Sequence, residues 1–82
     1  MQKILILEDL LDVKDWLHGL VTKHFSADEI HCAETFAQAI ELLKENEYTL
    51  ALLDIGLPDG SGLDILKLIK SKTENCYCLL KY

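Results

Sequence analysis

Two continuous apolar runs, each closed by acidic residues, limit the folds open to this chain more than any other feature. The first run spans residues 4–7 and leads into Glu8 and Asp9; the second spans residues 50–53 and leads into Asp54. An unbroken apolar strand needs cover on both faces, which is the position of a central strand in a parallel sheet. Because parallel strands end at the same edge, we expect the three acids to meet there, where their repulsion favours a bound cation.

The rest of the chain alternates helix and strand patterns around these two runs. Apolar residues at helical spacing predict three helices, with Thr35 and Ser61 as N-caps of the second and third. Short apolar runs bounded by turn residues predict four strands. Such alternation is typical of right-handed crossovers, so we expect a three-layer α/β fold with a parallel sheet. The predicted strands are 3–8, 29–33, 48–54 and 76–80, and the predicted helices are 11–25, 36–46 and a segment that starts after Ser61.

Composition excludes several classes of protein. The 82 residues carry a formal net charge of −6, with eight lysines and no arginine, so we expect no direct nucleic-acid binding. No stretch approaches the roughly 20 apolar residues that span a bilayer, and the N-terminal run is unlike a secretory signal. We therefore expect a cytoplasmic protein without membrane contact. Cys32, Cys76 and Cys78 are expected to be free thiols.

Several residues have structural rather than chemical explanations. Trp16 falls on the apolar stripe of the first helix, and we expect it to be core or half-buried. Pro58 is expected to fix a rigid turn, and Gly60 or Gly62 to adopt backbone angles that other residues resist. Each acid taken alone also has such an explanation, because acidic residues favour helix starts and turns. Only their convergence indicates a site.

The acid pair and the loop after Asp54 together resemble the receiver domain of two-component response regulators. The resemblance rests on the segments KILILED at 3–9 and LLDIGLPDGSGL at 52–63, and it extends from Lys3 to about Leu80. It implies a flavodoxin-like parallel sheet with the strand order 2-1-3-4.

The same resemblance implies roles for individual residues. Asp54 corresponds to the phosphoacceptor, which receives a phosphoryl group from a histidine of a sensor kinase. Glu8 and Asp9 correspond to the acids of a Mg²⁺ site, in which Asp54 and the backbone carbonyl of Gly56 also bind the metal. A carboxylate already ionised at neutral pH needs no general base, so the chemistry reduces to positioning and charge neutralisation. We therefore expect a signalling module rather than an enzyme.

The chain departs from the receiver pattern toward its carboxyl end. We expect a single incomplete receiver domain over residues 1–82 that lacks the fifth strand and the last two helices. The family's hydroxyl residue at the end of strand four falls at about Lys81 or Tyr82, and its lysine on strand five has no counterpart. A deleted electrostatic donor commonly costs about 3 to 4 kcal/mol of transition-state stabilisation. Phosphorylation is therefore expected to be slow or absent, whereas metal binding could survive.

An exposed last strand would offer an apolar edge to another chain. We therefore expect a homodimer or higher oligomer, formed through the fourth strand or the first helix. Two other functions remain open: an inert fragment whose only activity is self-association, and a phosphatase-like hydrolase with Asp54 as nucleophile. A haloacid-dehalogenase type of hydrolase would carry a second Asp two residues after the nucleophile, where this chain has Gly56.

Overall fold

The computed structural model describes residues 2–81 and contains four strands and three helices in strict alternation. All three strand pairings are parallel, and the strand order is β2-β1-β3-β4. The predicted three-layer α/β fold and its strand order are therefore confirmed. The elements are β1 Lys3–Leu7, α1 Leu11–His24, β2 Glu29–Ala33, α2 Phe36–Glu45, β3 Leu50–Asp54, α3 Gly62–Lys72 and β4 Tyr77–Lys81.

Strand β1 is buried on both faces, as its unbroken apolar run predicts. Leu5 and Leu7 belong to the core on the side of α2 and α3, whereas Ile4 and Ile6 belong to a separate core on the side of α1. Side chains alternate across a strand, so one run of four residues supplies both cores. This requirement fixes β1 at the centre of the sheet.

The two faces of the sheet are covered unequally, because α2 and α3 cover one face and α1 alone covers the other. Between α1 and strands β3 and β4 lies an apolar groove with a volume of about 330 Å³, which Trp16, Leu20, Phe25 and Leu79 help to line. The expectation that Trp16 is core or half-buried is wrong, since the side chain is 64% exposed at the mouth of this groove. Helical spacing shows which face of a helix is apolar, but not whether another element reaches every residue of that face.

Both predicted N-caps are confirmed. Thr35 Oγ1 accepts a hydrogen bond of 3.1 Å from the N–H of Gln38, and Ser61 Oγ accepts one of 3.1 Å from the N–H of Leu63. These bonds satisfy backbone donors that the first turn of a helix leaves free. They explain why α2 and α3 begin where the sequence places them.

Strand β2 has its predicted range, and the other three strands differ from theirs by one or two residues. Strand β3 starts at Leu50 rather than at Tyr48, whose buried hydroxyl group lies 2.7 Å from His31 Nδ1. Strand β4 runs from Tyr77 to Lys81, one residue later than predicted. This shift matters for function because it brings Lys81 into the strand, directly opposite Asp54.

Within residues 2–81, no helix is both long enough and apolar enough to cross a bilayer.

Candidate functional site

The carboxyl ends of three adjacent strands form one row of charged side chains. Leu7 pairs with Leu53, so Glu8 and Asp54 follow at equivalent places on β1 and β3. Asp54 in turn pairs with Lys81 on β4. Residues paired across parallel strands point to the same face, and here Glu8, Asp54 and Lys81 all border the apolar groove beside α1.

The three predicted acids are brought together at this edge. Glu8, Asp9 and Asp54 each offer one carboxylate oxygen, and these oxygens all lie within 4.8 Å of one another. Glu8 and Asp54 are buried, and Asp9 is partly exposed. Buried carboxylates at this separation repel one another strongly unless positive charge or hydrogen-bond donors offset them.

Glu8 is the most enclosed of the three acids, with almost no exposed surface. Its Oε2 atom accepts a hydrogen bond of 3.3 Å from the N–H of Leu10. Among the described residues, none makes a well-aligned hydrogen bond to Oε1, although Lys81 Nζ lies 2.9 Å away as an ion-pair partner. A buried carboxylate oxygen that has lone pairs free of hydrogen bonds is suited to bind a cation.

The Asp54 carboxylate is held by its own loop. Its Oδ1 atom accepts a hydrogen bond of 3.0 Å from the N–H of Gly56, and its Oδ2 atom lies 4.0 Å from Lys81 Nζ. Burial acts to raise the pKa of this carboxyl group, but the Gly56 hydrogen bond and the positive charge of Lys81 act to lower it, and the net shift is downward. Asp54 is therefore ionised at neutral pH.

Sequence reasoning missed Lys81, which it considered only as a poor replacement for a hydroxyl residue. The structure shows that Lys81 supplies the positive charge that the acid row otherwise lacks. The pKa of Lys81 is raised, first by the close contact of its ammonium group with Glu8 and then by the charges of the surrounding carboxylates. Lys81 was missed because β4 extends one residue beyond its predicted end, which places Lys81 opposite Asp54. No local pattern in the sequence predicted this extension. Tyr82, the other position considered for the hydroxyl, lies outside the described residues.

The loop after Asp54 is shaped by a tight turn and by close contacts. Leu57 and Gly60 form an antiparallel bridge around Pro58, which confirms the predicted turn. The predicted reason for the glycines is wrong, since no described glycine has a positive φ angle. Their role is steric: a Cβ atom on Gly62 would lie 2.8 Å from the carbonyl carbon of Asp54, and one on Gly60 would overlap the Phe36 ring.

Asp59, in the same loop, was also missed as a structural residue. Its carboxylate accepts hydrogen bonds of 2.9 Å and 3.3 Å from the N–H groups of Phe36 and Ala37, the first two residues of α2. These bonds hold the pKa of Asp59 below its ordinary value. The loop that follows Asp54 is thus fastened to the start of α2. Local sequence patterns could not predict this role of Asp59, because Asp59 lies 23 residues after Phe36, the first residue of the helix that it caps.

Carboxylates at the carboxyl edge of a parallel sheet, next to the point where strand order reverses, define a doubly wound α/β protein with its site at the switch point. Within that class, the family model described as the response regulator receiver domain matches residues 4–80. The chain belongs to this family and is a receiver domain of the two-component response regulator type.

Individual relatives agree with the family match. The chain is 34% identical over 80 residues to the transcriptional regulatory protein YdfI of Bacillus subtilis strain 168, a match that covers 98% of this chain and 38% of YdfI. It is 34% identical to the MaeR response regulator bound to beryllium trifluoride, with a TM-score of 0.85 over 99% of this chain and 66% of that one.

A third relative was solved in two complexes. The response regulator TrrA from Thermotoga maritima in complex with Mg²⁺ and a beryllium fluoride is 28% identical, with a TM-score of 0.79 over all of this chain and 71% of that one. TrrA in complex with the histidine kinase ThkA gives a TM-score of 0.76 at 28% identity, over 98% of this chain and 67% of that one.

The curated relatives are much longer than this chain. It spans 16% of the response regulator protein PilR of Pseudomonas aeruginosa and 38% of YdfI.

Proposed function

We propose that Asp54 accepts a phosphoryl group from a histidine of a sensor kinase, at a Mg²⁺ site formed by Glu8, Asp9, Asp54 and the backbone carbonyl of Gly56. The observation that carries this proposal is the convergence of three carboxylate oxygens within 4.8 Å at the edge of the sheet. Hard oxygen donors are the ligands that Mg²⁺ prefers. The buried Oε1 atom of Glu8, which lacks a well-aligned hydrogen bond among the described residues, also fits a cation.

The residues of the chain divide the chemistry between them. An Asp54 carboxylate oxygen attacks the phosphorus atom and forms the new P–O bond; the bond from phosphorus to the histidine nitrogen breaks, and that nitrogen keeps the electron pair and takes a proton from water. Because the Asp54 pKa is lowered, the nucleophile is already ionised, and the Gly56 N–H limits its rotation. Mg²⁺, when bound, supplies neutralisation of the charge on the phosphoryl oxygens.

The complexes of related receivers support this assignment of partner and cofactor. TrrA was solved with a histidine kinase and, separately, with Mg²⁺ and a beryllium fluoride. A module of this kind passes on a signal rather than turning over a substrate. We therefore place this chain among phosphorylated signalling proteins and not among enzymes.

Incubation with acetyl phosphate and Mg²⁺, followed by intact-mass measurement, tests the proposal. We expect the wild-type chain to gain one phosphoryl group slowly, the Asp54→Ala variant to gain none, and the Asp15→Ala variant, which removes an exposed acid on α1, to behave as the wild type. EDTA should abolish the gain. A wild-type mass that stays unchanged at saturating donor would contradict phosphotransfer, and continuous release of phosphate would favour a hydrolase.

We further propose that the chain acts as one domain in the cytoplasm, without direct nucleic-acid contact. All three helices pack on a single sheet, which supports one cooperative unit over the described residues. Cys32, Cys76 and Cys78 are free, and burial raises the pKa of Cys76 to about 12. Free thiols suit a reducing compartment. The net charge of −6 disfavours binding to a phosphate backbone.

We also propose that the 82-residue chain forms a homodimer through the outer edge of β4. In the part of the chain that the structure describes, no strand pairs with this edge, where Tyr77 is 80% and Leu79 is 59% exposed. A second copy that pairs its own β4 would satisfy the free backbone groups. It would also extend the apolar groove beside α1 across the interface.

Sedimentation velocity over a range of micromolar concentrations tests the dimer. We expect a concentration-dependent dimer for the wild type and a monomer for Leu79→Lys, because a charge on the exposed face of β4 would be buried in the interface. Leu63→Lys, at an exposed site on α3, should remain dimeric. A folded wild-type monomer across this range would contradict the proposal.

A further inference from the structure

The side chain of Lys81 lies over the acid row from the β4 side. Its ammonium nitrogen is 2.9 Å from Glu8 Oε1 and 4.0 Å from Asp54 Oδ2. Both contacts follow from the register of the sheet, in which Asp54 and Lys81 are paired residues. The ammonium group is therefore held at the acids by the fold itself.

The Glu8 side chain depends on this one cation. It is 1% exposed, so water cannot offset its charge, and its Oε1 atom has no well-aligned hydrogen bond from any residue within 2–81. The Lys81 side chain, by contrast, is 43% exposed and ends a flexible four-carbon stem. The ammonium group of Lys81 can therefore regain water by moving into solvent, whereas the Glu8 carboxylate cannot.

We propose that Lys81 is a tethered counter-ion of the acid row, and that its ammonium group and a divalent cation compete for Glu8 and Asp54. The proposal rests on the Mg²⁺ site proposed above and adds a residue that sets its affinity. A divalent cation held by the converging carboxylates would place two further positive charges close to the ammonium group. Like charges at such distances repel, so binding of the metal displaces Lys81 into solvent.

Calorimetric titration of Mg²⁺ into Lys81→Met, Lys81→Arg and wild-type protein measures the competition. We expect Lys81→Met to bind Mg²⁺ roughly tenfold more tightly than wild type, because the competing charge is gone. Lys81→Arg keeps the charge and should stay near the wild-type affinity. Lys23→Met, at the far end of α1, removes the same charge elsewhere and should change the affinity by less than about twofold.

Thermal unfolding in EDTA gives a readout that does not depend on bound metal. Without metal, Lys81→Met should unfold at a lower temperature than Lys23→Met, because Glu8 is left buried without its cation. Added Mg²⁺ should then raise the midpoint of Lys81→Met by more than it raises that of the wild type. A purely structural lysine would lower the midpoint without changing the response to metal.

Amine labelling of the wild-type chain tests the displacement even if Lys81→Met does not fold. The Lys81 ammonium group should be labelled several-fold faster in Mg²⁺ than in EDTA, whereas labelling of Lys23 stays constant. Equal labelling of Lys81 in both conditions, or equal Mg²⁺ affinities for wild type and folded Lys81→Met, would overturn the competition while leaving the metal site intact. Absence of Mg²⁺ binding in every variant would overturn both.

Discussion

Replacing Gly62 by alanine is expected to destabilise the protein by about 3 kcal/mol or more, an effect at the upper end for overpacked sites. The added Cβ atom would lie 2.8 Å from the carbonyl carbon of Asp54, and backbone cannot move aside as a side chain can. Either α3 or the end of β3 has to shift. The same substitution should also lower phosphorylation from acetyl phosphate, because Asp54 moves with its backbone.

Two other glycines provide matched controls for this prediction. Gly60→Ala meets the side chain of Phe36, whose ring can turn aside although its Cβ atom, 2.9 Å away, cannot, so we expect a cost that is smaller than that of Gly62→Ala. Gly19→Ala lies in α1 with open space around it and should stabilise the protein by about 0.5 to 1 kcal/mol through helix propensity. Urea denaturation of the three variants gives the order directly. A Gly62→Ala variant no less stable than Gly60→Ala would show that the backbone contact is unimportant.

Replacing Leu5 by alanine is expected to cost about 2 to 5 kcal/mol, a large share of the total for a domain of this size. Leu5 is fully buried in the larger core, where α2 and α3 pack against β1, and the sheet holds its position from both sides. The cavity that alanine leaves can therefore collapse only in part. Urea denaturation of the variant, with secondary structure followed by circular dichroism, measures the loss.

Leu11→Ala provides the control for the core substitution, because Leu11 starts α1 and is 58% exposed. Its replacement should change the free energy of unfolding by no more than about 0.5 kcal/mol. Equal losses for the two variants would contradict the assignment of Leu5 to a rigid core.

Much of the fold follows from patterns that act over short stretches of sequence. The run of residues 4–7 predicts a strand buried on both faces, and Thr35 and Ser61 predict the starts of α2 and α3. The positions of the acids at the ends of β1 and β3 predict that their side chains lie close together, because the carboxyl ends of parallel strands lie at the same edge of a sheet. These predictions need only the spacing of apolar residues and local hydrogen-bonding preferences, and the folded protein contains the elements that both predict.

The features that the sequence did not predict all depend on whether segments that are far apart in sequence come into contact in the folded protein. Lys81 acts in the acid row only because β4 ends one residue later than its apolar pattern indicates. Asp59 caps α2, from which it is separated along the chain by the whole of β3. Trp16 has the spacing of a core residue, but no described element covers it. In each case tertiary arrangement, which sequence periodicity does not encode, determines the contact.

The charged row also has a consequence for the order of events in folding. Glu8, Asp54 and Lys81 come from three strands, so neither their repulsion nor their attraction acts until the parallel strands have paired. When strands remote in sequence pair, the chain first loses entropy by closing the loop between them. The stabilising contacts between the strands form only afterwards. A substitution that changes the charge of the row therefore alters the free energy of the native state more than that of the transition state. We expect it to change the rate of unfolding more than the rate of folding.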